Sequence, residues 1–268
     1  MILNSLMALP FYTNREEQHH RLPYVYGNIY PLLCGQDALL PFQIVAESDI
    51  SNFRARLMDK DDNEVVSNFD QYIGNAMEFV ESDGKYIALY KGAALDGAIP
   101  AGTFYIEITP SNGATYYSEL FTTVCSTEGL IKIEWRDYAP FYSDGHYIYY
   151  DDDFTNRIYV KSDLGKPEYT FEEEGEERDG FFFPEKQLST KTYRFSFLAP
   201  EYLCDALRML RMSEDVFITD QYGNRYSADS ILVTPEWMEV GDLANVSVEF
   251  TSNSVVKKLG IGYIRSEN

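Results

Sequence analysis

Apolar and polar residues alternate with a period of two through most of this chain, the mark of strands with one face turned inward. The run at 41–47 (PFQIVAE) predicts the first clear strand. Next, Phe53, Ala55 and Leu57 alternate with Arg54 and Arg56, residues 59–63 (DKDDN) turn, and residues 64–69 (EVVSNF) return, which predicts a β-hairpin. KYIALYKG at 85–92, GTFYIEITP at 102–110 and TYYSELFTTV at 115–124 predict further strands, separated by Gly and Pro signals. This spacing of turns points to a small antiparallel sandwich.

From Ile131 the alternation resumes in IKIEW (131–135), NRIYVKS (156–162), KTYRFSF (191–197), DVFITD (215–220) and NVSVEFTS (245–252). The last of these sets Val246, Val248 and Phe250 on one face. One stretch changes period. Leu203, Ala206, Leu207 and Leu210 recur at helical spacing and predict a single amphipathic helix over about 200–212. Pro200 suits its first turn, Glu201 its positive end, and Arg208 and Arg211 its negative end. The acidic run Glu172–Asp179 predicts a solvated hairpin loop. Residues 1–30 follow neither period, and Pro10 and Pro23 punctuate them, so an extended arm is expected there.

The expected fold class is therefore mainly β, with two sandwich-like β-rich domains. The arm occupies 1–30, a β-sandwich domain 31–125, and a second β-rich domain of α+β character 126–268, carrying the helix. A boundary is expected near Ser126–Gly129.

Composition adds one outlier. With 22 Tyr and 17 Phe, aromatic residues make up 15% of the 268, which suits pleated half-buried surfaces and protein contacts alike. The net charge of −21 argues against direct nucleic-acid binding, which needs clustered Lys and Arg. No run of 18 apolar residues occurs, and the apolar start lacks a basic stretch and is cut by Pro10, so neither membrane anchoring nor export by a standard signal is expected.

Catalytic chemistry finds little purchase. The histidines are His19, His20 and His146, and no GxSxG elbow accompanies them. Cys34, Cys125 and Cys204 are far apart without metal-ligand spacing, and Cys204 reads as a buried free thiol. Asp59, Asp61 and Asn63 open like a calcium loop, but Glu64 stands where that loop needs glycine, so a hairpin turn explains them better. Asp151, Asp152 and Asp153, with Asp144, read as a solvated turn. No catalytic residue, cofactor or metal ligand is assigned.

Several stretches nevertheless carry a resemblance. IEWRDYAPF (133–141), NRIYVKSDLGKPEY (156–169), EEEGEERDGFFFPEKQ (172–187), KTYRFSFLAPEYLCDALRML (191–210) and GDLANVSVEF (241–250) stand in that order. Together they resemble a recurrent module of structural proteins from tailed phages and prophages of Bacteroidetes, including the crAss-like group. AGTFYIEITPSNGATYYSELFTTV (101–124) is similar to strands of the same virion proteins. The resemblance implies a non-enzymatic protein of the neck, tail or baseplate, located in the virion. It implies a ring of copies of this chain that contacts other neck and tail proteins. On that reading the arm and two loops make the contacts. Trp135, Tyr138, Phe141, Tyr142, Tyr147 and Tyr149 are candidate interface residues from the first loop region, and Glu172, Glu173 and Glu174 from the second. Deleting residues 1–25 would then weaken assembly without unfolding either domain. The alternative is a glycan-binding β-sandwich module in which the same six aromatic residues stack on sugar rings.

Overall fold

The computed structural model describes residues 2–3, 6–18, 32–74, 76–95, 99–111, 113–143, 146–150, 153–237 and 243–258. The first half contributes β1 (Ile2–Leu3), β2 (Phe11–Tyr12), β3 (Leu32–Gly35), β4 (Phe42–Ala46) and β5 (Phe53–Asp59), then the short helix α1 (Phe69–Gly74). It continues with β6 (Met77–Ser82), β7 (Lys85–Tyr90), β8 (Gly102–Pro110), β9 (Tyr116–Ser118) and β10 (Phe121–Val124). The second half contributes β11 (Ile131–Arg136), β12 (Phe141–Ser143), β13 (His146–Ile148), β14 (Asn156–Val160), β15 (Glu168–Arg178) and β16 (Phe181–Pro200). Helix α2 (Glu201–Leu207) follows, prolonged by a 3₁₀ turn at Arg208–Arg211, and then β17 (Asp215–Thr219), β18 (Arg225–Ser227), β19 (Ser230–Trp237) and β20 (Leu243–Lys258). The protein is mainly β.

The principal sheet runs β1-β2-β9-β8-β10-β3-β14-β11-β17-β18, with β5 on the other edge of β8. The first half of the chain is layered. The sheet β4-β7-β6 faces the principal sheet, with Phe42 against Phe11 at 4.9 Å between ring centroids and Phe79 against Phe53 at 5.6 Å. Such tilted ring pairs add to the burial that holds two sheets together.

The turn at Thr127–Leu130 lies where a domain boundary is expected, yet the sheet runs across it. β3 pairs in parallel with β10 on one side and meets β14 through Tyr159 and Leu33 on the other. One continuous buried cluster extends from Leu6 to Phe250. The two halves therefore share a sheet and a core.

The segment expected as an arm is partly core. Met7, Ala8, Leu9, Phe11 and Tyr12 are buried, and β2 pairs with β9. Tyr12 donates its hydroxyl to Glu119 at 3.0 Å, and Gln18 donates its amide to the Ser118 carbonyl. The polar stretch after Tyr12 misleads because it caps a buried strand. His19, His20 and the remainder of the expected arm up to residue 30 lie outside the described residues.

The return strand expected at 64–69 does not form. Glu64 makes one bridge to Met58, the Val65 amide donates to the Leu57 carbonyl at 2.9 Å, and the chain then coils into α1. Phe69 and Ile73, four residues apart and so on one side of the helical turn, are both buried. The expected helix does form, and Leu203, Ala206, Leu207 and Leu210 are all buried. Pro200 stands just before it, extended at φ −73° and ψ 167°, as the last residue of β16.

Candidate functional site

Of the aromatic residues expected at an interface, three are sealed inside. Trp135 is 0% exposed because β11 turns Ile131, Ile133 and Trp135 to the core and Lys132, Glu134 and Arg136 outward. Tyr147 and Tyr149 are buried as well, the latter receiving its backbone order from Gln43, whose side chain accepts from the Tyr149 amide at 2.9 Å. Phe141 is half-buried against the core. Tyr138 and Tyr142 remain at the surface, 59% and 67% exposed. The six residues therefore form no common face, and the sugar-stacking alternative loses Trp135, Tyr147 and Tyr149 from its platform.

Tyr138 belongs to a small polar network instead. Its hydroxyl donates to Asp215, accepts from Arg136 at 3.2 Å, and its ring lies 5.2 Å from the Arg136 guanidinium. The Tyr138 bond, helped by Arg136, holds the Asp215 carboxyl below its ordinary range. Arg136 also reaches Asp153 at 3.4 Å, while Asp144, Asp151 and Asp152 lie outside the described residues. Among the described residues no group of three His, Cys, Asp or Glu side chains gathers as metal ligands would.

The turn at 59–63 is a hairpin turn of specific chemistry. The Asp59 carboxylate accepts from the Asp61 and Asn63 amides, both at 2.8 Å, and from the Asn63 side chain. Asp220 repeats the device with the Tyr222 and Asn224 amides and the Asn224 side chain. Both turns read D-x-x-x-N in the sequence. An Asp side chain that gathers its own backbone donors stabilises a tight turn without any ion.

Glu172, Glu173 and Glu174 lead to the most unusual element. The acidic run is a strand, β15, whose eleven residues are all exposed. It pairs with β16 from Glu168↔Thr192 out to Arg178↔Phe181, and a two-residue turn, Asp179–Gly180, closes the end. Both turn residues have positive φ, 53° and 81°, as a type I′ turn requires. The Asp-Gly pair was the local signal for this hairpin, masked by the charge around it.

The result is a projecting β-tongue. β20 lines its other side as far as Lys186↔Lys258, and two bulges, at Glu174/Gly175 and Ser189/Lys191, shift its register. Gly175 is required at the first bulge, since any Cβ there would strike the Phe183 carbonyl. Beyond that bulge the tip carries Phe181, Phe182 and Phe183, 70%, 48% and 52% exposed. Period-two geometry puts Phe181 and Phe183 on one face with Glu176 and Arg178, and Phe182 on the opposite face with Glu177. Nearer the body, Tyr169, Phe171 and Val255 are exposed too.

Cross-strand contacts knit the tongue: Lys186 with Glu174 at 3.2 Å, Arg194 with Glu168 at 2.8 Å and Glu249 at 2.7 Å, and Lys191 over the Tyr169 ring. Exposed pairs of this kind contribute little, so the ladder holds the shape and no core does. An alternating pattern with neither face covered presents two surfaces to whatever lies alongside.

No protein-family model, curated protein or solved structure matches the chain.

Proposed function

We propose that this chain is a non-enzymatic structural protein that assembles with copies of itself into a ring, and that the β15–β16 tongue makes the contact. The observation that carries this reading is the tongue itself, a long ribbon exposed along β15 and tipped by three phenylalanines. A ribbon of two or three strands without a covered face is marginal on its own in water, and contiguous exposed apolar residues are the usual sign of a binding surface. Subunits of a ring meet through two different faces, so each needs an element that reaches past its own body. The resemblance to neck and tail proteins of tailed phages supplies the setting: a virion ring, with other neck and tail proteins as further partners.

The outer edge of β15 is unpaired among the described residues. Glu172, Glu173, Glu174, Glu176 and Glu177 along it repel a second copy of the same edge, a common protection against uncontrolled strand addition. Attraction is thereby concentrated at the tip.

The test compares the full chain with one in which residues 172–188 are replaced by Asn-Gly, joining Phe171 to Ser189. Light scattering and negative-stain imaging should show closed assemblies of the full chain, and single chains of unchanged fold for the shortened one. A full chain that stays single at every concentration, or a shortened one that assembles as well, overturns the reading.

A further inference from the structure

Resting on that reading, we infer that the tongue tip of one copy inserts into an apolar hollow beside α2 of the next copy. The hollow has a volume of about 860 Å³ and opens between the β12–β13 hairpin, the 3₁₀ turn after α2 and β19. Phe141, Tyr142, Met209 and Met212 line it, and Arg208 and Arg211 stand on its wall. It is an open groove rather than an enclosed cavity, with room for aromatic side chains.

Three features match tip to hollow. The first is apolar complementarity. Tyr142 and Met212 are 67% and 56% exposed in the hollow, as the three phenylalanines are at the tip, and methionine adapts readily to an incoming aromatic ring. The second is charge. Arg178 at the tip is already paired with Glu176, which leaves the exposed Glu177 and Asp179 as its outward charges. In the hollow Arg211 lies beside Arg208, whose one exposed ion pair with Asp205 spans 3.3 Å and is easily exchanged. Acidic tip and basic wall favour the encounter.

The third feature is reach. β16 runs unbroken for 20 residues before α2 begins. At ~3.3 Å per residue that spans about 60 Å, and the path back along α2 to the hollow recovers only ~20 Å. The exposure of all of β15 shows that the tongue does not fold back onto the body. A tip so far from its own hollow meets the hollow of another chain. Tip and hollow are different surfaces, so the contact is heterologous, the kind that closes into a ring.

Complementation by mixing tests this. A tip variant carries Phe181→Ser, Phe182→Ser and Phe183→Ser, and a hollow variant carries Arg208→Glu and Arg211→Glu. All five positions are exposed, and thermal melts confirm that each variant folds. Each variant alone should lose assembly and run at the 30.8 kDa of one chain. An equal mixture should give pairs and nothing larger, because only one tip and one hollow remain intact. In a Cys125→Ser background, a chain with Phe182→Cys and a chain with Met212→Cys should also form an interchain disulfide under mild oxidation. If the hollow variant assembles like the parent, or the mixture yields no pairs and the cysteines do not join, the inference fails while assembly through the tongue stands. If the parent chain never assembles, the functional reading fails and takes the inference with it.

Discussion

A chain shortened by its first 18 residues loses Leu6, Met7, Leu9, Phe11 and Tyr12, all buried side chains of the core. Burial of a large apolar side chain is worth about 1.5–3 kcal/mol, so the five together represent about 10 kcal/mol. That is the same size as the whole stability of a typical domain, about 5–15 kcal/mol. The loss also strips β9 of its neighbour β2, exposes the Phe42 ring that Phe11 covers, and removes the Tyr12 hydroxyl from the buried Glu119 carboxylate. The shortened chain should therefore be insoluble or lack a cooperative melt. A milder form of the same perturbation is Phe11→Ala, which opens a cavity at a site 0% exposed. Substitutions of that kind cost about 3–5 kcal/mol, which lowers the melting temperature by on the order of 10 °C for a chain of this size. Circular dichroism followed during heating measures both. A truncated chain that melts within a few degrees of the full one would show that the segment is a detachable arm after all.

Trp135→Ala should cost about 3–5 kcal/mol in chemical denaturation, since it empties a fully buried site; unaltered stability would mean that the ring is not in the core. Burial opposes ionisation of Asp220, but bonds from Asn224, Tyr222 and Tyr226 outweigh it and hold its carboxyl below the ordinary value. Its contribution is thus present above the unfolded value, about 3.9, and is lost as the pH falls through the lower folded one. Asp220→Asn should reduce stability at pH 7 and flatten the acid side of the stability profile, and a parallel downward shift at every pH would refute this. Of the three thiols only Cys125 is exposed, while burial pushes Cys34 up to about 12 and Cys204 to about 11. A thiol reagent at pH 8 should label one cysteine quickly and the other two only on unfolding; fast labelling of Cys34 would contradict its burial.

Local chemistry in the sequence was enough to determine much of this protein. The period-two runs at 42–46, 85–90, 131–136 and 156–160 are strands, and the stripe Leu203, Ala206, Leu207 and Leu210 is the buried side of a helix. The Asp-x-x-x-Asn turns hold themselves together through their own side chains, so their neighbours have no vote. What covers each strand was decided only by the tertiary structure. Trp135 and Tyr138 are both aromatic and three residues apart, yet one is sealed and the other exposed, because Trp135 sits on the inward face of β11 while Tyr138 lies in the bend beyond that strand's end. Residues 6–12 are core because β9 accepts β2, a pairing between segments about a hundred residues apart. The tongue marks the limit from the other side: EEEGEERDGFFF has the charge of a solvated loop and the turn of a hairpin. Only the register with β16 and β20 turns it into a ribbon whose phenylalanines stand clear of the body. Alternation tells that a strand has two faces, and the rest of the chain determines whether either of them is covered.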